Sequence, residues 1–308
     1  MSERLRGLAR AKINLGLAVL GRRPDGYHDL ASVFVRLALA DALSVAFAGG
    51  PPTTDPAADL LEVVGRRPTE DPGQDLVLRA AALLRTEAGR PLPPLAFRLV
   101  KRIPVAAGLG GGSADAAAAL ALAGRAWGLV LGRAQRLELA ARLGSDVPFF
   151  AAGLPAAWVE GRGERIESVP PPGDLGVLLV SPKAGLDTAA VFAAFDRLAA
   201  AEARSQPPRD TVPERAGRAS GEAGAWSSTV GDLAATMRDG NDLWPAAADL
   251  CPGLVELRER LERSLERPVL LSGSGPTLVA LYPSGTAAAA AVRRVDAPDA
   301  NVIATQAA

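Results

Sequence analysis

The chain of 308 residues has little cysteine, no net charge and no long apolar run. Cys251 is its only cysteine, so no disulfide can form within the chain and secretion gains no support. Lysine plus arginine and aspartate plus glutamate each number 34, and the formal net charge is zero, which argues against a broad nucleic-acid-binding surface. No uncharged apolar run reaches the roughly 18 residues of a membrane-spanning helix. We therefore expect a cytoplasmic protein with neither nucleic-acid nor membrane partners.

The N-terminus superficially resembles a signal peptide, because basic residues precede the apolar run at 13–21. Asn14 interrupts that run, however, and Arg22 and Arg23 follow where a small-residue cleavage site would be needed. We therefore predict a short strand over 11–20.

The distribution of apolar residues predicts strands and helices mixed without a regular βαβ rhythm, which favours an α+β fold. The predicted strands cover 11–20, 30–37, 41–47, 95–103, 156–159, 176–181, 269–271 and 277–281. The predicted helices cover 76–88, 114–127, 133–143, 188–201 and 254–266. The segment 202–228 is rich in Arg, Ser, Gly and Pro. It has too little apolar area to offset its ordering entropy, so we predict a mobile insertion there.

The most informative segment is glycine-rich and runs straight into an alanine-rich stretch. Gly108, Gly110, Gly111 and Gly112 precede Ser113 and a run of alanines. Glycine lets backbone N–H groups approach an anion closely, alanine is the strongest helix former, and serine is a favoured N-cap. A glycine loop that opens onto a helix N-terminus is suited to hold phosphate groups. We predict a nucleotide-phosphate loop.

Two common phosphate-binding templates do not fit this loop. Walker A requires a lysine after the glycines, and the dinucleotide fingerprint started at Gly108 would require glycine where Ser113 stands. A tight strand-to-helix turn or a linker is the alternative. A flexible linker is disfavoured because strong helix formers follow directly.

Three further residues could supply catalytic groups. Lys12 and Asn14 are two apart on the first predicted strand and therefore share a face. Asp146 follows the predicted helix end at Gly144. A phosphate cradle, a carboxylate that takes the acceptor's proton and a cation are what a kinase needs. The alternatives are a helix-capping role for Asp146 and a surface position for Lys12.

Three segments, 11–15, 104–118 and 271–276, resemble the three motifs of the GHMP kinase superfamily. Arg-Pro-Asp-Gly-Tyr-His at 23–28 and Gly-Ser-Asp-Val-Pro-Phe at 144–149 are similar to one branch of it. Members of that branch phosphorylate the 2-hydroxyl of a cytidine-diphosphate-linked methylerythritol, in the non-mevalonate route to isoprenoid precursors. The resemblance implies an N-terminal nucleotide-binding domain over 1–153 and a C-terminal substrate domain over 154–308.

By this resemblance, Asp146 is the general base and Lys12 compensates negative charge as the phosphoryl group moves. ATP is the phosphoryl donor, and Mg²⁺ is expected to bind mainly through ATP, without a dedicated protein metal site. The chain is expected to be a monomer or a weak homodimer.

The resemblance also implies a substrate pocket in which aromatic rings sandwich the cytosine. Its residues are Asn14, Tyr27, His28, Thr188 and Phe192. His28 is the only histidine in the chain and follows a turn, where side chains are commonly exposed. Its alternative role is to satisfy a backbone carbonyl, and Phe192 is equally consistent with a core position.

The ATP-binding residues implied by the resemblance lie in and before the glycine loop. They are Lys101, Pro104, Gly108, Leu109, Gly110, Gly111, Gly112 and Ser113, with Gly273, Ser274 and Gly275 as a supporting loop. The alternative for Lys101 is that it is an ordinary exposed lysine on a strand. The alternative for the supporting loop is a plain glycine turn between strands. Residues 241–243 also resemble a family tripeptide, although a helix cap would explain them as well.

Two other functions compete with this interpretation. One is another GHMP kinase, such as homoserine or mevalonate kinase, which would have no use for a cytosine pocket. The other is a non-catalytic nucleotide sensor, which the presence of both Lys12 and Asp146 disfavours.

Overall fold

The computed structural model describes residues 4–205, 234 and 237–308, and the chain divides into two compact units. The first unit contains 1–12, 39–105 and 110–154, and the second contains 13–38, 106–109 and 155–308. Each unit therefore consists of three separate sequence segments, whereas we predicted two continuous domains with a boundary at 153/154. The functional division into nucleotide and substrate domains stays a prediction.

The secondary structure mixes strands and helices, which confirms the α+β class. The strands are β1 (Leu5–Arg22), β2 (His28–Phe47), β3 (Leu60–Val64), β4 (Leu95–Val100), β5 (Ala156–Gly161), β6 (Arg165–Ser168), β7 (Gly176–Pro182), β8 (Leu270–Leu271), β9 (Leu278–Tyr282) and β10 (Ala300–Gln306). The helices are α1 (Leu76–Ala88), α2 (Gly111–Ala126), α3 (Arg133–Leu143), α4 (Val147–Ala152), α5 (Thr188–Ser205), α6 (Trp244–Leu250), α7 (Gly253–Leu265) and α8 (Gly285–Ala291).

In the first unit, β3, β4 and β2 are neighbours in that order, in a sheet in which β1 also pairs with β2. β3 is parallel to β4, and the C-terminal part of β2 is antiparallel to β4, with Ala42 opposite Val100 and Phe47 opposite Leu95. Helix α2 packs against α1, α3 and α4. Its alanines, including Ala116, Ala119 and Ala123, are fully buried. Their small side chains allow the neighbouring helices to approach closely, so the alanine run has a packing role besides its helix propensity.

In the second unit, β10-β7-β9-β8 form an antiparallel sheet, and a hairpin of β5 and β6 pairs with residues 30–35 of β2. Leu254, Leu257, Leu261 and Leu265 recur at the spacing of one helical face, and all four are buried in the core cluster with residues of β7 and β9. Burying each leucine contributes about 2 kcal/mol.

Several predicted boundaries differ from the structure. The strands predicted over 30–37 and 41–47 are one continuous strand, β2, because the residues between them carry no turn-forming signal. Sequence patterns missed α4, β3, β6, α6, α8 and β10, most of which are too short to show a clear period. Helix α5 extends to Ser205, so the insertion predicted over 202–228 begins inside a helix, and its remainder lies outside the described residues.

Candidate active site

Lys12 and Asp146 form an ion pair within the first unit. The Lys12 Nζ lies 3.4 Å from the Asp146 Oδ2, and the side chains are 4% and 31% exposed, respectively. The alternative of a surface position for Lys12 is therefore wrong. Asp146 occupies the N-cap position of α4, but its side chain makes no capping hydrogen bond. The carboxylate is thus paired with an ammonium group and remains accessible to a reacting molecule.

The glycine loop approaches this ion pair at Gly110, whose φ of 67° lies in the left-handed region. A Cβ at this position would lie 2.9 Å from the Phe150 ring and 3.0 Å from the Cγ of Lys12. Only glycine fits without displacing these side chains.

The predicted role of Ser113 as N-cap of the following helix is wrong. Helix α2 begins at Gly111, and Gly110 is its N-cap residue. The left-handed glycine turns the chain into the helix three residues earlier than the serine would, so Ser113 lies in the first helical turn. The N-terminus of α2, with its unpaired N–H groups, therefore follows the residue that contacts Lys12, and it is suited to bind an anion.

Lys101 is neither exposed nor unpaired, which rules out its alternative as an ordinary exposed strand lysine. Its Nζ donates to the Asp41 Oδ2 at 2.5 Å and to the Asp115 Oδ2 at 2.7 Å, and all three side chains are at most 4% exposed. Asp41 also accepts hydrogen bonds from the backbone N–H groups of Arg102 and Ile103. This buried cluster fixes the chain just before the glycine loop. Sequence reasoning missed both carboxylates.

Burial and neighbouring charges together shift two pKa values in the buried cluster. Burial would lower the pKa of the Lys101 ammonium, but the carboxylates of Asp115 and Asp41 outweigh it, and this pKa is raised. Burial raises the pKa of Asp115 to about 7, with Asp41 adding to the shift and Lys101 opposing it. The cluster holds one cation for two carboxylates, and the Oδ1 of Asp115 has no hydrogen-bond partner among the described residues. The buried cluster of Lys101, Asp41 and Asp115 therefore has too few positive charges to neutralise both carboxylates at neutral pH.

In the second unit, the loop between β8 and β9 packs against Gly108. A Cβ on Gly108, which has a φ of 74°, would lie only 2.4 Å from the carbonyl oxygen of Ser272 and 3.0 Å from that of Gly275. The Ser272 hydroxyl donates to the Gly108 carbonyl at 3.2 Å. Gly273 and Gly275 both have left-handed backbone conformations. The supporting loop is thus a glycine turn between two strands that also contacts the first part of the glycine loop.

Side chains from distant parts of the second unit hold this supporting loop. The Asn241 amide donates to the carbonyls of Leu271 and Gly273, and its oxygen accepts from the Leu243 N–H. The Thr188 hydroxyl lies 3.0 Å from that of Ser274. Asn241 therefore stabilises the loop and, through its bond to Leu243, also holds the turn that precedes α6.

Asn14 is buried, with 2% of its surface exposed. Its amide donates to the Ser32 hydroxyl at 2.8 Å, and its backbone N–H donates to the Ser272 hydroxyl at 3.3 Å. These bonds tie β1 to β2 and to the supporting loop.

His28 is buried, which contradicts the exposed position expected after the turn. Its ring stacks on Phe192 at a centroid distance of 4.9 Å and an angle of 19°, and its Nε2 lies 2.7 Å from the Asp196 Oδ1. A base cannot lie between His28 and Phe192 in this arrangement, because the two rings already stack directly on each other. Asp196, on the same helix as Phe192, was not identified from the sequence.

Tyr27 is half exposed, at 51%. The guanidinium of Arg162 lies over its ring, 3.6 Å from the centroid, and also 3.7 Å from Asp25. The cation covers one face of the ring and leaves Tyr27 with exposed aromatic surface that a base could stack on.

The predicted site residues fall into two groups. Lys12, Lys101, Pro104, Gly110, Gly111, Gly112, Ser113 and Asp146 belong to the first unit, and Asn14, Tyr27, His28, Gly108, Leu109, Thr188, Phe192, Gly273, Ser274 and Gly275 to the second. Within residues 4–205, 234 and 237–308, no three His, Cys, Asp or Glu side chains are grouped so as to hold a metal ion. No helix in the same ranges is long and apolar enough to cross a bilayer.

Comparison with known proteins identifies the class of protein to which the chain belongs. The family described as GHMP kinases N terminal domain matches residues 75–154, and the family described as GHMP kinases C terminal matches 227–301. A crystal structure of L. major mevalonate kinase superposes with a TM-score of 0.73 at 16% identity, covering 100% of this chain and 98% of that one. That similarity shows the fold alone. The fold is that of a GHMP kinase.

Two other relatives are more similar to this chain in sequence. The 4-diphosphocytidyl-2-C-methyl-D-erythritol kinase of Pelotomaculum thermopropionicum is 40% identical over 295 residues, covering 94% of each chain. A crystal structure of 4-(cytidine 5′-diphospho)-2C-methyl-D-erythritol kinase is 30% identical with a TM-score of 0.68, covering 99% of this chain and 100% of that one. The chain belongs to the 4-diphosphocytidyl-2-C-methyl-D-erythritol kinase family.

Proposed function

We propose that this protein transfers the γ-phosphoryl group of ATP to the 2-hydroxyl of 4-diphosphocytidyl-2-C-methyl-D-erythritol, giving the 2-phosphate and ADP. The observation that carries the proposal is the Lys12–Asp146 ion pair beside Gly110, at the residue where the glycine loop turns into α2. The family name of the relatives supports the choice of acceptor.

In the proposed reaction, the substrate hydroxyl oxygen attacks the γ-phosphorus while its proton passes to the Asp146 carboxylate. The bond from the γ-phosphorus to the bridging oxygen breaks, and ADP leaves with the electron pair. The Lys12 ammonium compensates the charge of the carboxylate and of the migrating group. Catalysis then rests on positioning and electrostatics, without a covalent enzyme intermediate.

The nucleotide is proposed to bind with its phosphates at the glycine loop and the N-terminus of α2. Backbone N–H groups and the positive end of the helix dipole both favour negative charge there. ATP is expected to enter as its Mg²⁺ complex. A cytoplasmic location and a monomeric or weakly dimeric state stay predictions.

The cytidine moiety is proposed to bind at Tyr27, where a half-exposed ring is supported by Arg162. This feature favours the diphosphocytidyl substrate over homoserine or mevalonate, which contain no aromatic base that could stack there.

The test is ADP release from Mg²⁺–ATP, measured separately with the diphosphocytidyl substrate, homoserine and mevalonate. We expect release only with the first compound. Release with homoserine or mevalonate alone would overturn the acceptor assignment. No release with any of the three, despite measurable ATP binding, would instead support a nucleotide sensor.

A further inference from the structure

The buried cluster of Lys101, Asp41 and Asp115 adjoins the start of α2. Asp115 lies one helical turn beyond Gly111, the first residue of α2, at about 6 Å along the helix axis. A Cβ on Gly111 would lie 3.5 Å from the Lys101 Nζ, so the ammonium that binds Asp115 also adjoins that first residue. The charge of the cluster is therefore close to the N–H groups at which the phosphates are proposed to bind.

The cluster carries an unbalanced charge when both of its carboxylates are ionised. One ammonium faces two carboxylates, and the three side chains are at most 4% exposed, so solvent does little to screen the excess negative charge. Asp41 accepts hydrogen bonds from Lys101 and from two backbone N–H groups. Asp115 accepts one from Lys101, and its Oδ1 is buried without a partner among the described residues. Asp115 is thus the carboxylate that an added proton would neutralise.

Within the described residues, Lys101 is the only side chain that binds the Asp115 carboxyl group. Helices α1, α3 and α4 also pack against α2, but α4 contains no charged residue, and α1 and α3 form no ion pair with Asp115 in the part of the chain that the structure describes. Burial and the charge of Asp41 raise the pKa of Asp115 to about 7, although Lys101 opposes them. The charge of the carboxyl group therefore changes near neutral pH.

We propose that Asp115 determines how tightly the glycine loop holds the nucleotide, because its ionised carboxylate opposes the charge of the phosphates and its protonated form does not. Asp115 is 2% exposed, so it acts through its charge and not by contact. Unit charges about 10 Å apart in a protein interact strongly enough to change a binding constant roughly tenfold. By linkage, a nucleotide bound at the loop raises the affinity of Asp115 for a proton. The inference rests on the proposed function for the position of the phosphates.

Proton uptake is measured by calorimetric titration with ADP and excess Mg²⁺ at pH 7.5, in buffers of different ionisation enthalpy. We expect the wild-type protein to take up roughly half a proton more per ADP than Asp115→Asn, because the amide cannot titrate. The phosphate groups of ADP titrate equally in both experiments, so their contribution cancels in the difference. Equal proton uptake by the two proteins would overturn the proposal.

The affinity for ADP gives a second readout, from the same titrations at pH 6 and pH 9. Relative to Asp115→Asn, the wild-type protein should lose roughly tenfold in affinity between these two values. At pH 9 the variant should bind ADP more tightly than the wild-type protein, whereas removal of a carboxylate that only stabilised the loop would weaken binding at every pH. Parallel pH dependences, or weaker binding by the variant at pH 9, would contradict the role of Asp115.

Glu87→Gln is the matched control, because it removes the charge of a partly exposed carboxylate of the same unit, which pairs with Arg142. It should behave like the wild-type protein in both measurements. An effect of equal size in this control would assign the pH dependence to the net charge of the protein and overturn the proposal. Wild-type protein with the expected proton uptake that does not phosphorylate the diphosphocytidyl alcohol would contradict the proposed function and still support the role of Asp115. No binding of ADP would overturn both.

Discussion

The first unit contains two lysine–carboxylate sites of similar composition and different character. At Lys12, one ammonium faces one carboxylate at 3.4 Å, and that carboxylate is 31% exposed. At Lys101, one ammonium lies between two carboxylates at 2.5 and 2.7 Å, and none of the three side chains is more than 4% exposed. Asp41 in the second site is also saturated by backbone N–H groups.

The same residue types can therefore have different roles, which depend on how deeply they are buried and on how many charged partners they have. The buried site has no open carboxylate oxygen that an incoming hydroxyl could reach, and its charges are costly to separate. It can hold the chain before the glycine loop but cannot take a proton from a substrate. The Asp146 carboxylate is partly solvated and not committed to a helix cap, so it can do so.

The largest effect is expected at Asp146. Asp146→Asn should lower turnover by roughly 10²–10⁴-fold, because the amide cannot accept the hydroxyl proton. ATP affinity should change by less than about threefold, and the free energy of unfolding by less than about 1 kcal/mol, because the side chain is partly solvated. ADP release, calorimetric ATP titration and urea denaturation measure the three quantities. Turnover within tenfold of wild type would remove Asp146 as the base.

Replacing the lysine by methionine should lower the free energy of unfolding much more at the Lys101 site than at the Lys12 site. Lys101→Met leaves the carboxylates of Asp41 and Asp115 buried together without a cation, and should destabilise the protein by about 3–5 kcal/mol. Lys12→Met is the control, because its partner Asp146 retains solvent, and it should cost less than about 2 kcal/mol while lowering turnover strongly. Urea denaturation of both variants tests this contrast, and equal destabilisation would contradict it.

A glycine substitution should disturb the Lys12 site without touching the buried cluster. Gly110→Ala places a methyl group against Lys12 and Phe150 in a left-handed backbone conformation, and should cost about 1–2 kcal/mol and reduce kcat about tenfold. In Gly112→Ala the nearest atom is the Leu76 Cδ1 at 3.4 Å, and alanine favours the helix, so stability should be equal or slightly higher. Steady-state kinetics and thermal denaturation of this matched pair are the measurements. Loss of activity in both variants would mean that the loop tolerates no added methyl group, whatever its position.

The smallest effect is a pH dependence of stability that originates in the buried cluster. The pKa of Asp115 is raised from its usual 3.8 to about 7, so between these values the folded state binds a proton that the unfolded state does not. Stability should therefore fall as pH rises from about 4 to about 7 and then level off. Compared with Asp115→Asn, the wild-type protein should lose about 1–2 kcal/mol between pH 5 and pH 7. Urea denaturation at four pH values checks this, and parallel curves for both proteins would contradict it.

Local chemistry was sufficient to predict the helices α1 and α3. It also identified the glycine loop, Lys12 and Asp146 as candidates, whose roles stay predictions. Helix α1 covers the predicted residues because Asp75 caps its N-terminus through the Val77 N–H and Gly89 ends it in a left-handed conformation. Helix α3 also has its predicted bounds, although Gly144 ends it with extended backbone at a φ of 166° and not as a left-handed residue. These signals operate over a few residues, so one sequence contains them.

The amino-acid sequence contains the chemical groups themselves: a glycine loop before a helix, a lysine and an aspartate in kinase-like motifs, and a single histidine after a turn. The tertiary structure alone decided their partners. Asp41 lies 60 residues from Lys101, and Asp196 lies 168 residues from His28. Such pairs carry no local periodicity or spacing. Their proximity, burial and resulting charge state arise only when the strands and helices that hold them pack together.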